Sequence, residues 1–368
     1  MSRHLLGLRE LSGPQIQQLL DSSQAYADDE QPAGALTGRT IITLFYEPST
    51  RTEISFELAA KRAGADIVRC DVPRSSIQKG ESLVDTVQTL EALGADAIVI
   101  RHPMAGAPKV ASRWVRCAVI NAGDGMHEHP TQGLLDLLTV RQRKARIAGL
   151  KVAIVGDVLH SRVARSAIWG FTKLGATVTL VAPPTLSLPE LKEEGRGTRE
   201  EGPSLSPLPS SFFPLPSSAV SMTSSLEEGL SGADVVMALR MQVERQQHGY
   251  VPSIAEYARS YAITARTLAY ARPDALLMHP GPMNLGVEIT ADAAYGPHSV
   301  IQAQVANGVA VRMATLWWCL TAEERREREN RGTRERGPAH DRRLPVIASV
   351  SEAISSENEI ASTLRSSQ

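Results

Sequence analysis

Apolar residues fall into short runs that alternate along the chain with longer segments of helical periodicity. The run RTIITLFYE from Arg39 is followed by the amphipathic pattern ISFELAAKRAG, and ADIVRCD from Ala65 is followed by ESLVDTVQTLEALG. Short runs rich in β-branched residues, separated by helices, are typical of a parallel sheet that is covered on both faces. The first half of the chain therefore predicts an α/β domain.

A second block of the same type begins at KVAIVGD from Lys151 and ends at ALLMHP near Pro280. The chain has 368 residues, which exceeds the roughly 100 to 200 residues of a usual domain. We therefore expect an α/β fold of two domains, each a mainly parallel sheet flanked by helices, joined by crossing helices. The first would span residues 1–140 and the second residues 141–300, and an apolar helix at about 301–320 would pack back on the first.

Two segments interrupt this pattern. Residues 190–218 include five prolines between Pro203 and Pro216, a composition that sustains neither helices nor strand ladders. Residues 323–368 are first highly charged and then rich in serine. We expect a disordered insertion at 190–218 and a low-complexity C-terminal tail at 323–368, and we assign neither a catalytic role.

The charges balance almost completely, with 39 basic and 40 acidic residues and a net charge of -1. No overall field favours nucleic acid or an anionic membrane, so any anion selectivity must be local. The sequence also lacks an apolar run long enough for a membrane helix or a signal peptide. We expect a cytoplasmic protein with no nucleic-acid or membrane partner.

The cysteines Cys70, Cys117 and Cys319 are far apart and form no CxxC or Cys/His pattern. This spacing argues against both a disulfide framework and a zinc site. We expect three buried thiols and no bound metal.

The first candidate for chemistry is Ser49-Thr50-Arg51-Thr52, between Pro48 and a predicted helix. The first turn of a helix attracts anions, and an arginine fork matches phosphate oxygens. A second interpretation is equally open, because Thr50 to Glu53 fits a T-x-x-E capping box, which needs no ligand.

Two more polar clusters follow predicted parallel strands. Arg101-His102-Pro103 follows ADAIVI, and the segment from His129 to Gln132 follows CAVINAGDGMHE. Open α/β sheets bind ligands at the carboxyl ends of their strands. A single loop histidine such as His129 is more often structural, but several clusters at one edge favour a binding site.

Together these motifs support a resemblance to a known family. STRT followed by SFELA, RHP, HPTQGLLDL, GD..HSR, LRMQ.ER and HPGP, in this order, resemble the catalytic chain of aspartate carbamoyltransferase, in the aspartate/ornithine carbamoyltransferase superfamily. The resemblance covers about residues 1–320 apart from the insertion. It implies a carbamoyl-phosphate domain followed by an aspartate domain. It also implies attack of the aspartate α-amine on carbamoyl phosphate without a cofactor.

The resemblance assigns roles to individual residues. Those implied in catalysis are Arg51, Thr52, Lys79, Arg101 and His129. The carbamoyl phosphate site would comprise Ser49, Thr50, Arg51, Thr52, Arg101, His129, Gln132 and Pro282. The aspartate site would comprise Lys79, Arg162, Arg240, Gln242 and Met283. For Arg162 and Arg240, a solvated helix end or an i,i+4 salt bridge remains the alternative.

The resemblance also implies partners. Ser75 and Lys79 would reach the active site of a neighbouring subunit in a homotrimer, because a heterologous contact that closes makes a ring. It leaves open whether a regulatory chain or a dihydroorotase also binds.

Two positions depart from the family pattern, and three alternatives remain. Glu53 follows STRT where a basic residue is usual, and Leu285 replaces a common arginine. An inactive paralogue, damaged by Glu53 or by the insertion, is the first alternative. Ornithine carbamoyltransferase usually has a cysteine where this chain has Pro280. A dehydrogenase is disfavoured because no GxGxxG motif follows Gly156.

Overall fold

The computed structural model describes residues 4–30, 34–70, 72, 80–188, 217–242, 250–251 and 253–321. The predicted tail and nearly all of the predicted insertion lie outside these ranges. Residues 217–219 form a short 3-10 turn that leads into a strand. The last two residues of the predicted insertion, 217 and 218, therefore lie in this turn.

Within the described residues, four parallel strands form the first sheet: β1 (Thr40–Phe45), β2 (Asp66–Cys70), β3 (Ala97–His102) and β4 (Ala118–Asp124). Their spatial order is β2-β1-β3-β4. All of β4 is buried, as expected for a strand covered on both faces. Because β2 and β3 lie on opposite sides of β1, the winding reverses between β1 and β3, which is where such sheets bind ligands.

The helices of this half are α1 (Gly13–Ala27), α2 (Thr50–Arg62), α3 (Leu83–Ala92) and α4 (Ala107–Ala111). We did not predict α1 from the sequence. Its start is fixed by a capping box, in which Ser12 Oγ accepts from the Gln15 N–H and Gln15 Oε1 accepts from the Ser12 N–H.

The second sheet, as far as the described ranges show it, has five parallel strands: β5 (Lys151–Val155), β6 (Thr177–Val181), β7 (Val220–Thr223), β8 (Val235–Ala238) and β9 (Leu276–Met278). Its order, β7-β6-β5-β8-β9, puts a second winding reversal between β5 and β8. Its helices are α6 (Arg162–Lys173), α7 (Leu226–Leu230), α8 (Ile254–Tyr261), α9 (Ala265–Leu268) and α10 (Ala291–Ala294).

Two helices connect the sheets. Helix α5 (Pro130–Lys144) leads from β4 to β5 and packs on α6. Helix α11 (Ile301–Leu320) packs against α1, α2 and α5, and its largely apolar surface suits a buried position. One core cluster includes Leu137, Phe171 and Leu316 from α5, α6 and α11. The predicted class of two parallel-sheet units with crossing helices is confirmed.

The prediction of three buried thiols is wrong for one of them. Cys117 and Cys319 are buried, whereas Cys70 is only half-buried. The reason is that Cys70 lies on β2, an edge strand whose side chains are largely exposed. Separately, none of the helices in the described ranges combines the length and the apolar character needed to cross a membrane.

Candidate active site

Helix α2 begins just past β1, at the first winding reversal. Its N-cap is Ser49, whose side chain makes no capping hydrogen bond to the first amides of the helix. The Ser49 hydroxyl instead donates to Thr52 Oγ1 at 3.0 Å. The capping box predicted as an alternative from Thr50 to Glu53 is therefore wrong, because Thr50 is already inside the helix. The uncapped first turn leaves backbone N–H groups that can bind an anion.

The unusual Glu53 points toward the sheet. Its side chain is mostly buried, and its Oε1 lies 2.7 Å from Arg69 Nε on β2. The ion pair with Arg69 neutralises the Glu53 carboxylate, and this pair lies outside the Ser49–Thr52 turn. The departure at residue 53 therefore adds no unpaired negative charge beside the candidate anion site.

Two predicted arginines meet at one carboxylate that sequence reasoning missed. Glu47 Oε2 lies 2.9 Å from Arg162 Nη2 and 3.5 Å from Arg101 Nε. The backbone of Gly123, at φ +113°, gives them room, since a Cβ there would stand 3.0 Å from Arg162 Nε and 3.3 Å from Arg101 Nη1. Two guanidiniums that share one carboxylate leave a local positive charge.

Arg162 is not a solvated helix end, so that alternative is wrong. It begins α6 after β5, yet it is only 7% exposed. Its Nη1 also donates to the Gly125 carbonyl at 3.4 Å. Since Glu47 and Gly125 follow strands of the first sheet, this arginine of the second sheet reaches across to the first.

His129 is buried at the start of α5. Its backbone N–H donates to Ser166 Oγ at 2.9 Å, and the Ser166 hydroxyl donates to Glu128 Oε2 at 2.9 Å. Burial holds the pKa of the His129 imidazole well below its usual 6.5, and the charges of Arg101, Arg162 and Arg312 lower that pKa further. Its ring is therefore neutral at physiological pH, and none of the described residues forms a hydrogen bond with its buried Nδ1.

Arg312 of α11 is a further residue that we did not select from the sequence, because it belongs to none of the motifs. Its guanidinium is buried, packs 5.2 Å from the centre of the Phe56 ring and donates to the Gly308 carbonyl at 2.8 Å. Burial lowers its pKa to about 10. Its charge is one of those that keep His129 neutral.

The HPGP loop follows β9 and meets Arg51. The Gly281–Pro282 peptide bond is cis, and Gly281 has φ +64°. A Cβ on Gly281 would stand 3.0 Å from Arg51 Cζ, so the guanidinium lies directly against this backbone. Two residues of the predicted carbamoyl phosphate site are therefore neighbours: Arg51, which follows a strand of the first sheet, and Pro282, which follows a strand of the second.

A buried carboxylate, Glu288, ties this loop to the turn after β8. Glu288 Oε1 accepts from the Asn284 N–H at 2.6 Å and lies 3.2 Å from His279 Nε2. Glu288 Oε2 accepts from the Met241 N–H at 3.5 Å. Arg240 and Gln242 flank Met241, so the predicted aspartate residues stand at the second winding reversal beside the loop that contains Met283.

Gln132 lies in the first turn of α5, where its Nε2 donates to Asp136 Oδ1 at 2.9 Å. Ser75 and Lys79 lie outside the described residues. In the part of the chain that the structure describes, no group of acidic, histidine and cysteine side chains could hold a metal ion.

Comparisons with known proteins agree over both halves. A family model described as "Aspartate/ornithine carbamoyltransferase, carbamoyl-P binding domain" matches residues 3–142. Another, described as "Aspartate/ornithine carbamoyltransferase, Asp/Orn binding domain", matches residues 148–319. The aspartate carbamoyltransferase catalytic subunit of Roseiflexus sp. (strain RS-1) is 50% identical, over 86% of this chain and 94% of the relative. That of Pelotomaculum thermopropionicum is 49% identical, over 86% and 96%.

Solved structures have the same fold. Aspartate transcarbamoylase from Trypanosoma cruzi in complex with N-(phosphonacetyl)-L-aspartic acid matches with a TM-score of 0.74 and 29% identity, over 87% of this chain and 96% of that one. Ornithine carbamoyltransferase from Pyrococcus furiosus matches with a TM-score of 0.73 over 87% and 98%. At 24% identity, the second likeness concerns the fold alone.

Proposed function

The chain belongs to the aspartate/ornithine carbamoyltransferase family, and we propose that it transfers the carbamoyl group of carbamoyl phosphate to the α-amine of L-aspartate. The products are N-carbamoyl-L-aspartate and phosphate. The observation that carries this proposal is the meeting of Arg101 and Arg162 at Glu47, next to a buried, neutral His129. Curated relatives about half identical to this chain are named as aspartate carbamoyltransferase catalytic subunits.

The phosphate of carbamoyl phosphate binds at the uncapped start of α2. Ser49, Thr50 and Thr52 supply hydroxyls and Arg51 supplies a guanidinium fork. Arg101 completes this group from the neighbouring strand end. Because phosphate leaves as an anion, cations and N–H dipoles fixed in advance lower the barrier more than mobile water would.

The carbonyl oxygen of the substrate gains negative charge during attack. Thr52, Arg101 and His129 donate hydrogen bonds to it, and a neutral imidazole can donate without adding a second buried charge. The carbamoyl NH₂ group is held by Gln132 and by the backbone at Pro282. Holding both reactants in place supplies much of the rate enhancement, because attack then needs no further ordering.

Aspartate brings two carboxylates, which Arg162 and Arg240 bind from the second sheet, with Gln242, the backbone of Met283 and Lys79 beside them. The net positive charge around Glu47 attracts a carboxylate and repels the side-chain ammonium of ornithine. Aspartate is therefore the preferred amine.

A competition assay tests the substrate. Purified protein given carbamoyl phosphate with equal aspartate and ornithine should form N-carbamoyl-aspartate, and we expect a preference in kcat/KM of at least about a thousandfold, since the site rejects the wrong charge. Product separation by chromatography measures both reactions in one sample. Equal carbamoylation, or carbamoylation of ornithine alone, would reject aspartate as the substrate, and no product with either amine would reject the activity.

We also propose that the active site is shared between subunits of a homotrimer, with Ser75 and Lys79 supplied by a neighbour. Chains carrying Lys79→Ala and chains carrying Arg51→Ala should each be nearly inactive. Mixed trimers should recover activity, because some sites then receive an intact Arg51 and an intact Lys79. Mixtures dissociated and reassembled from differently tagged chains measure this recovery. Trimers proven to be mixed that stay inactive would contradict the sharing.

The remaining features follow from the same proposal. Residues 1–140 with α11 form the carbamoyl-phosphate domain, and residues 141–300 form the aspartate domain. The reaction belongs to de novo pyrimidine synthesis, and the protein acts in the cytoplasm without a cofactor.

A further inference from the structure

Asp136 is a fully buried carboxylate without a cationic partner among the described residues. It lies on α5, one helical turn after Gln132, and its exposure is 0%. Its Oδ1 accepts two hydrogen bonds, from Gln132 Nε2 at 2.9 Å and from Gln304 Nε2 at 2.7 Å. Its Oδ2 is buried and has no hydrogen-bond partner in the described ranges. A carboxylate in this position is costly to bury, so packing alone does not account for it.

Asp136 fixes which end of each neighbouring side-chain amide, that of Gln132 and that of Gln304, faces it. An amide has a donor end and an acceptor end, and a carboxylate oxygen takes only the donor end. Gln132 therefore turns its Oε1 atom away from Asp136. Gln304 turns its own Oε1 atom toward the loop after β9, where it accepts from the His279 N–H at 3.0 Å.

The contact with His279 reaches the HPGP loop. His279 Nδ1 accepts from the Gly281 N–H at 2.8 Å, and the Arg51 guanidinium lies against Gly281. A continuous series of hydrogen bonds thus connects Asp136 to both places that hold the carbamoyl NH₂ group in the proposed function: the Gln132 amide and the backbone of the HPGP loop.

We propose that Asp136 is a positioning residue, which orients the Gln132 amide as an acceptor for the carbamoyl NH₂ group and, through Gln304, fixes the HPGP loop on the opposite side of that group. This inference rests on the proposed function. Asp136 does not touch the substrate; it acts through the two glutamines. Its buried setting serves this role, because a hydrogen bond away from water keeps a stricter geometry than an exposed one.

The competing explanation is that Asp136 only joins α5 to α11. The same two helices have a second polar contact that provides a matched control. Asn307 Nδ2 donates to Thr139 Oγ1 at 2.9 Å and to Gln142 Oε1 at 2.8 Å. This contact joins α5 and α11 without involving Gln132 or His279.

The test compares four variants of the full chain: Asp136→Leu, Asp136→Asn, Gln304→Leu and Asn307→Leu. Asp136→Leu and Gln304→Leu should each lower kcat/KM for carbamoyl phosphate by about a hundredfold, with both a lower kcat and a higher KM, because each removes an oriented hydrogen bond. The KM for aspartate should change far less. Asp136→Asn keeps a carbonyl oxygen that can accept both N–H groups, so it should retain activity within about tenfold. Asn307→Leu should lose stability but keep kcat/KM within about threefold.

The outcomes decide between the two roles. If Asn307→Leu loses as much activity as Asp136→Leu, or if Asp136→Leu and Gln304→Leu match the parent protein when folded, the positioning role is wrong. If Asp136→Leu does not fold, Gln304→Leu and Asp136→Asn decide the question in the same way. A parent protein that fails to carbamoylate aspartate would instead reject the proposed function.

One readout is independent of activity. Burial raises the pKa of Asp136 from 3.8 to about 7, and the groups that hydrogen-bond it are uncharged amides. The folded state therefore binds this proton more tightly than the unfolded state, so its contribution to stability is full below pH 3.8 and is lost as the pH rises through about 7. Thermal unfolding should show the parent protein losing stability relative to Asp136→Asn between pH 5 and pH 8. An unchanged difference would contradict the buried, directional carboxylate on which the inference depends.

Discussion

Replacing Arg51 with alanine is expected to lower kcat/KM for carbamoyl phosphate by about two to three orders of magnitude, the usual loss when a fixed donor to a developing anion is removed. Arg51 lies in the first turn of α2, and its guanidinium packs against Gly281 of the HPGP loop. There it can bind two phosphate oxygens at once. Steady-state kinetics with varied carbamoyl phosphate measure the effect. Because the side chain is exposed, its truncation removes little buried surface, and the unfolding temperature should change by only a few degrees.

Two comparisons make the Arg51 result specific. Arg62 is exposed in the last turn of the same helix, so Arg62→Ala should keep nearly full activity. Arg51→Lys keeps the charge but not the planar fork and should recover only part of the loss. Normal kinetics for Arg51→Ala, or an equal loss in Arg62→Ala, would reject the phosphate role.

The second large effect is expected at His129. His129→Ala removes a buried donor to the substrate carbonyl, and kcat should fall by about a hundredfold to a thousandfold. The pKa of this imidazole is held well below 6.5 by burial and by nearby arginines, so its ring does not change charge near neutral pH. The ratio of parent to variant kcat should therefore be the same at pH 6.5 and pH 8.5.

The pH comparison distinguishes a neutral donor from a general acid or base. A ratio that changes about tenfold between these pH values would mean that His129 titrates in the working range, contrary to its surroundings. His298→Ala provides the control, because that histidine contacts the Ala275 carbonyl, just before β9. It should leave kcat unchanged, and circular dichroism should confirm that all three proteins are folded.

Secondary structure was predictable wherever the hydrophobic pattern was long and regular. The strands β1, β3, β4 and β5 and the helices α2, α5, α6 and α11 follow apolar runs or periods that leave little choice. We did not predict α1, β7 or α8. These elements are short, or their apolar and polar positions differ too little to stand out in the sequence, and tertiary packing stabilises them more than their own sequence does.

The capping box shows why local motifs can mislead. Thr50 to Glu53 fits T-x-x-E with Thr50 as the N-cap, but the N-cap lies one residue earlier, at Ser49, and Glu53 pairs with Arg69 of β2. A spacing rule contains no information about a strand that lies elsewhere in the chain. The sequence allows the N-cap of α2 at either Ser49 or Thr50, and the tertiary structure selects Ser49.

The sequence by itself determined the α/β class and which residue types stand at the strand ends, because hydrophobic periodicity and motif order are local properties of the chain. Only the tertiary structure decided that Arg162 reaches Glu47 across the two sheets, that Arg51 lies on Gly281, and that Asp136 accepts hydrogen bonds from both Gln132 and the distant Gln304. These contacts join residues more than a hundred positions apart, except for the turn from Gln132 to Asp136. Packing and the need to pair buried polar and charged groups select these partners. No single stretch of the sequence contains that information.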